Sequence, residues 1–523
     1  MVMPGDRFFV DPLNLPPPQP GMSVNNTSVA VARPAGVLPQ VPAGFEVTVF
    51  AEGLESARWI EVAPNGDVLM SRRDSGDVLM LRDVNGDGRA DTRTTLIGGF
   101  TQPHGMAFGA DGLYVVDLNA VWKVPYVAGD ATARGPAVAL TAPGALGGTD
   151  GHTLHSLALS PDGQSLFVGI GSEGNLAEEP LPRASVLQFD GTGASPRVLA
   201  SGMRNPAGLE IDPATGTLYA AVVERDGLGD ELVPDFLTRV QAGGFYGWPY
   251  AYIGPNPQPG FGQRPDLVAS TLVPDVLFRA HSTPIGFTFY TSQQFPSDYT
   301  GDIFVALRGS WNSSVPHGFM IARVAVENGV PVNGYEAFMT GFLLSDQPPP
   351  SAYGRPTTVA VAANGTLLVG DDTGGTIYAV RYAPKGDDAG NILTGGGMGD
   401  TLSGLAGNDT VHGERGNDTV QGGQGEDQLW GDLGGDRLSG DAGNDVLNGG
   451  AGADIFAFAA GAGADRIEDF HALEGDRIEL SGLSYGIAMA PDGEALLTLS
   501  DGSSIQLTGI APAGVSADWF VGG

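Results

Sequence analysis

The sequence predicts an all-β protein, a six-bladed β-propeller followed by a C-terminal parallel β-roll. Three observations predict it. Between residues 44 and 383 one pattern recurs six times: an apolar run, a small turn with Gly, then a second apolar run. Between residues 395 and 457 a nine-residue repeat runs in tandem. Throughout, 81 Gly and 38 Pro among 523 residues supply turns, and no helical period intervenes between the apolar runs. A β-sandwich with coincidental turns is the alternative for the first repeat.

Composition narrows the function. Lys and Arg number 26 against 60 Asp and Glu, a formal net charge of -34. That balance argues against nucleic acid and anionic membrane surfaces, and favours metal cations and neutral small molecules. The absence of Cys excludes disulfides, thiolate metal sites, catalytic thiols and Cys-attached haem. No apolar run is long enough to span a bilayer, so no membrane insertion is expected. The first residues, MVMPGDRFFVDPLNLPPPQP, lack a basic segment followed by an apolar core, so a secretory signal peptide is not expected there.

Residues 1–43, rich in Pro, Asn and Val, read as an extended N-terminal arm. Residues 44–383 hold the propeller copies WIEVAPNGDVLMS, GMAFGADGLYVVD, SLALSPDGQSLFVGI, GLEIDPATGTLYAAV, GFTFYTSQQFPSDYTGDIFVAL and TVAVAANGTLLVGD. Their turn glycines, Gly66, Gly112, Gly163, Gly216, Gly301 and Gly365, lie about 46 to 85 residues apart. A further short strand follows most copies, for example DVLML, VWKVP and TIYAVRY, which points to four strands per blade. Residues 223–280 interrupt the repeat, and insertions of this kind build the mouth of a propeller channel.

The candidate chemistry in this region is concentrated at strand entrances. Arg204 and Asn205 precede one apolar run, and Glu224–Glu231 follows it as an acidic loop with two Gly. His104, His152, His155 and His281 also stand at or before strand starts, as do Arg308 and Arg355 nearby, so four imidazoles and several guanidiniums converge on one end of the axis. Such a set suits an anionic ligand with several carboxylates, whereas any one His alone reads as structural. Asp83, Asn85, Asp87 and Asp91 alternate around a Gly turn like the first half of a calcium loop, although no Glu follows at the twelfth position. The alternative there is an Asx-rich hairpin turn.

Residues 384–394 read as a polar linker. The nonapeptides of 395–457 then place Asp400, Asp409, Asp418, Asp427, Asp436, Asp445 and Asp454 in one register, each two residues before an apolar position. Glycines permit the tight turns and expose carbonyls, and the carboxylates supply hard oxygen ligands, so several Ca2+ ions and metal-coupled folding are expected. A low-complexity Gly-rich linker would not keep Asp and apolar positions in phase. The repeats resemble the calcium rolls of the repeats-in-toxin family. For residues 458–523, a β cap ending in ADWFVGG, the resemblance implies a C-terminal export signal read by type I secretion machinery, hence a secreted, extracellular protein.

Residues 44–383 resemble the soluble, pyrroloquinoline-quinone-dependent sugar dehydrogenases, especially the sorbosone branch. DGHTLHSLALSPDG, SGMRNPAGLEIDPATGTLYAAV, ERDGLGDELVPDFLT, GGFYGWPY, AHSTPIGFTFY, FVALRGSWN and GRPTTVAVAANGTLLVGDDTGGTIY carry the resemblance. It implies hydride transfer from a small carbohydrate to pyrroloquinoline quinone, with an external electron acceptor. It implies His152 as general base, Arg204 and Asn205 against the quinone carbonyls, and Arg225, His281, Arg308 and Arg355 around the cofactor. Calcium is implied on the backbone carbonyls of Asp226 and Gly227, with a further pair at Asp230 and Glu231. Ser172 stands where the family carries the carboxylate that orients the base, with Glu173 beside it, and Asp150 is the expected substitute. Thr357 stands where the family has a second Arg. Two other readings of the fold are a non-catalytic extracellular calcium-binding propeller and a calcium-dependent lactonase, whose metal would be ringed by Glu, Asn and Asp rather than His and Arg.

Overall fold

A computed structural model describes residues 2–55, 57–332 and 334–521. Gly522 and Gly523 of the expected export signal lie outside the described residues. The chain divides into two compact units: Met1–Pro42, Val47–Thr291 and Gly301–Val380 form one, and Ala43–Glu46, Ser292–Thr300 and Arg381–Gly523 form the other. No helix among the described residues is long and apolar enough to cross a membrane.

The first unit is a propeller of six antiparallel sheets. Blade one runs Ala57–Val62, Val68–Arg72, Asp77–Arg82 and Thr92–Gly98. Blades two to five open on Met106–Gly109, Ser156–Leu159, Pro206–Ile211 and Pro284–Phe289, and blade six on Pro356–Val361. These innermost strands touch in succession, and the sixth returns to the first. Adjacent blades bury apolar faces against each other, as Ile60, Met70 and Leu79 do with Leu368, Ile377 and Ala379. The inner strands line an open axial cavity of about 450 Å³.

The ring is closed by a strand that the repeat pattern did not reveal. Blade six takes its outer strand from Phe45–Ala51, some 300 residues upstream of its other three. The arm does not stand free. Arg7–Phe8 pairs with Tyr335–Glu336 at the edge of blade five, and Val29–Ala30 runs parallel to Ser351–Ala352. Residues 223–280 also do more than insert: Phe236–Arg239 and Val276–Leu277 are the outer strands of blade four.

The second unit is a roll. Strands 18 residues apart pair in parallel, so each coil takes two nonapeptides, one per face. Leu402, Val411, Val420, Leu429, Leu438, Leu447 and Phe456, the apolar positions, are 0% exposed and form its core. The expected linker 384–394 belongs to this roll: Ile392–Thr394 pairs with Thr410–His412, and Leu393 joins the core. GDDAGNILT is thus a degenerate first repeat, with Asn391 in the Asp place. The tail extends the stack through Ala464–Ile467, Arg477–Leu480 and an antiparallel group ending at Ser504–Leu507.

Phe50 of the closing strand packs into the cluster between blades six and one. Phe50→Ala should cost about 3 kcal/mol by urea unfolding of the propeller. A loss below about 1 kcal/mol, within the range of ordinary surface substitutions, would show that the ring holds without this strand.

Candidate functional site

The strand entrances expected to converge do so in blades three and four. His152 sits before the first strand of blade three and is partly buried. Its Nδ1 lies 2.7 Å from the backbone carbonyl oxygen of Ser172. A carbonyl oxygen only accepts, so Nδ1 carries the hydrogen and Nε2 keeps a lone pair. Among the described residues Nε2 has no hydrogen-bond partner. Burial and the neighbouring Arg204 guanidinium lower the pKa of His152 to about 4, so the ring is neutral at ordinary pH. The family's orienting carboxylate is therefore replaced by a main-chain carbonyl. Asp150, the expected substitute, does not orient the ring: it is exposed, and its backbone oxygen accepts from Arg183.

Gly171 explains how closely these groups approach. A Cβ there would lie 2.5 Å from His152 Cβ and 2.8 Å from Asn205 Oδ1. The glycine lets both side chains share one wall. Asn205 is buried, and its Oδ1 has no protein partner.

Arg204 is held from the opposite side. Its Nε donates to Asn175 O at 3.3 Å, Nη1 to Glu224 O at 2.8 Å and Val223 O at 3.4 Å, and Nη2 to Asn175 Oδ1 at 3.1 Å. One Nη2 hydrogen is left uncommitted. Asn175 was not anticipated from sequence, yet it is the hub: it also accepts from Asp226 N and Trp248 Nε1, and donates to Asp226 O.

The acidic loop does not present the expected calcium site. Asp226 O already accepts from Asn175 Nδ2 at 2.9 Å and from Arg225 Nε and Nη2 at 3.0 and 2.8 Å. Gly227 O accepts from Gly21 N of the arm at 3.0 Å. Asp230 is taken by Ser314 N and Oγ. Arg225, expected beside the cofactor, folds back on its own loop.

His281 serves this loop as well. Its Nδ1 faces Asp226 Oδ1 at 3.2 Å and its Nε2 faces Gly229 O at 3.0 Å. Burial opposes its charge, but the Asp226 carboxylate and the Gly229 carbonyl outweigh burial and raise its pKa. His104 and His155, expected at the mouth, are turned into the wall, where Nδ1 of each meets a main-chain carbonyl at 3.2 and 3.0 Å. Burial keeps both neutral.

Arg308 and Arg355 meet at the far wall. Arg308 Nε lies 3.2 Å from Asp372 Oδ2, which also pairs with Arg58. Arg355 donates from Nε to Arg308 O at 3.1 Å and from Nη2 to Gly309 O at 2.5 Å. Burial, Arg308 and Arg58 lower its pKa to about 9 against Asp372 and Asp371. Thr357 is not in the site at all: its hydroxyl donates to Ala57 O across the ring seam. The uncommitted Nη2 hydrogen of Arg204 and the guanidiniums of Arg308 and Arg355 suit a flat, multiply anionic cofactor with carbonyl and carboxylate oxygens. They fit pyrroloquinoline quinone, whereas the loop carbonyls do not fit its calcium.

In the first-blade loop, where calcium was expected on Asp83, Asn85, Asp87 and Asp91, these side chains are tied to one another and to the turn backbone. Asp83 accepts from Gly86 N and Gly88 N, Asp91 from Val84 N and Asn85 N, and Asn85 Nδ2 bridges Asp87 and Asp91.

The roll, by contrast, fits calcium. Oδ1 of the aspartates from Asp409 onward accepts from the backbone N of the residue one coil earlier, at 2.7–2.8 Å for Asp409, Asp418, Asp427, Asp436 and Asp454, whereas Asp400 accepts through Oδ2 from Gly396 N at 2.6 Å. Asp445 makes the same bond to Asp427 N at 2.9 Å. Oδ2 of Asp409, Asp418, Asp427, Asp436, Asp445 and Asp454 is buried without a protein partner. A Cβ at the first glycine of these repeats would collide with that oxygen, as at Gly413, where Asp418 Oδ2 would lie 2.5 Å away. The columns continue through Asp465 and Asp476, which the nine-residue count missed because the spacing lengthens to 20 and 22 residues. Their signal was the shared Asp-Arg-Ile, in GADRI and GDRIEL.

Burial raises Asp418 and Asp445 to about 7 and Asp436 and Asp454 to about 6, with neighbouring carboxylates adding to it. Folded-state pKa values above the unfolded ones give stability that is full below about pH 4 and lost as pH rises through 6–7. The calcium-free roll should therefore unfold on going from pH 5 to pH 8, followed by circular dichroism, and millimolar calcium should restore it at pH 8. A calcium-free roll equally stable at both pH values would contradict this.

Three comparisons bear on the fold. The TrAA12-like family model matches residues 39–233 and 268–383, and the RTX calcium-binding nonapeptide repeat matches 394–429 and 430–467. A Trichoderma reesei carbohydrate-active enzyme of family AA12, in its iodide structure, is 19% identical with TM-score 0.56, covering 66% of this chain and 98% of its own. The holo pyranose dehydrogenase PQQ domain from Coprinopsis cinerea is 18% identical with TM-score 0.55, covering 68% of this chain and 100% of its own. An uncharacterized protein of Borreliella burgdorferi is 30% identical over 235 residues, 44% of this chain. The chain spans 61% of the length of that relative.

Proposed function

Because the chain belongs to the TrAA12-like family, we propose that its propeller is a quinoprotein dehydrogenase. It oxidises a small carbohydrate, a sugar, sugar aldehyde or polyol, with pyrroloquinoline quinone as cofactor. The observation that carries this reading is the state of His152. Its hydrogen is committed to Ser172 O, its Nε2 lone pair is free, and Asn205 stands against the same wall.

Arg308 and Arg355 would hold cofactor carboxylates, and Arg204 with Asn205 its carbonyl oxygens. When bound, the quinone supplies a two-electron, hydride-accepting group. His152 Nε2 takes the proton of the substrate hydroxyl. Ser172 O keeps the imidazole in the competent tautomer and stabilises the imidazolium that forms. Asn175 and the carbonyls of Val223 and Glu224 fix the Arg204 plane, so its spare N–H is aimed before substrate arrives. The Asp226 and Gly227 carbonyls of the loop are already bonded within the protein.

In this reading the electron acceptor is external. The roll supports secretion: its stacked carboxylates repel in low-calcium cytoplasm and close around Ca2+ outside, after passage through type I machinery.

Protein reconstituted with quinone and calcium should reduce a dye with a carbohydrate donor. His152→Asn should lower kcat about 100- to 10,000-fold while quinone absorbance on the protein persists. The neutral base is lost only as pH falls through about 4, so the acidic limb of the rate should lie near there and not at 6.5. Full turnover by His152→Asn, or an acidic limb at pH 6.5, would remove His152 from the reaction.

A further inference from the structure

Two guanidiniums at the mouth, those of Arg58 and Arg73, stand beyond the residues assigned to the cofactor. Arg58, at the entrance of blade one, pairs with Asp372, but Arg308 shares that carboxylate and Arg355 lies beside them. Asp371 does not help: its carboxylate is filled by the backbone N–H groups of Arg355, Thr373 and Gly374. Among the described residues, three guanidiniums thus face one available carboxylate, in a chain of formal charge -34. Burial, Arg308 and Arg73 together push the Arg58 pKa down to about 10 despite Asp372. Its Nε is buried with no partner.

Arg73, after the second strand of blade one, adds a fourth cation. It is held by neutral groups: Nε and Nη2 donate to Gln102 Oε1 at 3.1 and 2.8 Å, and Nη2 to Thr153 Oγ1 at 3.3 Å. Thr153 is the residue after His152. Arg73 is half-buried, so its head is neither free in solvent nor neutralised by a described hydrogen bond to an acid. A guanidinium anchored by an amide and a hydroxyl beside the proposed base is poised for an incoming anion.

We propose that the substrate is a carboxylate-bearing sugar of the uronic acid class, its carboxylate met by Arg73 and Arg58 while its reacting hydroxyl lies at His152. This rests on the dehydrogenase reading above and narrows its substrate. Arg308 and Arg355 are assigned to the cofactor; Arg58 and Arg73 are left for the sugar. The site's preference then opposes the repulsion that the acidic surface imposes on any anion.

The test compares D-glucuronate and D-galacturonate with D-glucose and D-galactose on the full chain, reconstituted with quinone and calcium. kcat/KM should favour each uronate by about tenfold or more, mainly through KM. Arg73→Gln and Arg58→Gln should each collapse that ratio, and Arg73→Lys should restore part of it. In parallel, ligand-observed NMR on the calcium-loaded, quinone-free protein should show glucuronate binding that Arg73→Gln abolishes. If neutral aldoses turn over as well as uronates, the inference fails and the dehydrogenase reading stands. If nothing turns over but glucuronate binds through Arg73, the redox reading fails and the anion site stands. If glucuronate neither binds nor is preferred, the inference is overturned.

Discussion

Six sheets share one axis only if the last is tied to the first, and this closure is the constraint on which the molecule depends. The seam is hydrogen-bonded at its inner strands: Thr357 Oγ1 donates to Ala57 O at 3.1 Å, and Ile60 N donates to Thr358 Oγ1 at 3.2 Å. At the outer edge, Phe45–Ala51 completes blade six. The cationic wall sits on this seam, since Arg58 belongs to blade one while Arg355 and Asp372 belong to blade six. Thr357, expected from the resemblance at the place of a second cofactor arginine, is a wall contact across the seam.

The two units use burial of charge in opposite ways. In the propeller, guanidiniums are desolvated beside too few carboxylates, which stores affinity for an anion. In the roll, carboxylates are desolvated in columns with one oxygen each bonded to backbone and one left over, which stores affinity for a cation. Neither arrangement is favourable by itself. Each becomes so when the missing partner arrives, so ligand binding and local stability are coupled in both units.

Much of the architecture was legible because it repeats. Turn glycines at blade intervals and aspartates every nine residues are periodic, and the structure keeps both. What was misread broke period: Asn391 in an Asp place hid the first coil, and the longer spacing to Asp465 and Asp476 hid the last. The candidate site was legible as residue types at strand entrances, which singled out His152, Arg204, Arg308 and Arg355 as candidates. It was illegible where orientation decides. His104 and His155 share the entrance pattern but bond the wall, and Asp226 O, expected on calcium, is covered by Asn175 and by the Arg225 next to it.

The amino-acid sequence by itself determined the blade and coil repeats, the in-phase carboxylates and the set of imidazoles and guanidiniums, because these follow from local spacing and side-chain chemistry. Only the tertiary structure decided which lone pairs stay free. The carbonyl that fixes the His152 tautomer, the amide of Asn175 that fixes Arg204, and the single carboxylate shared by Arg58 and Arg308 come from positions 20 to 314 residues distant from their partners. Hydrogen-bond saturation depends on distances set by packing of the whole ring, which no local pattern encodes.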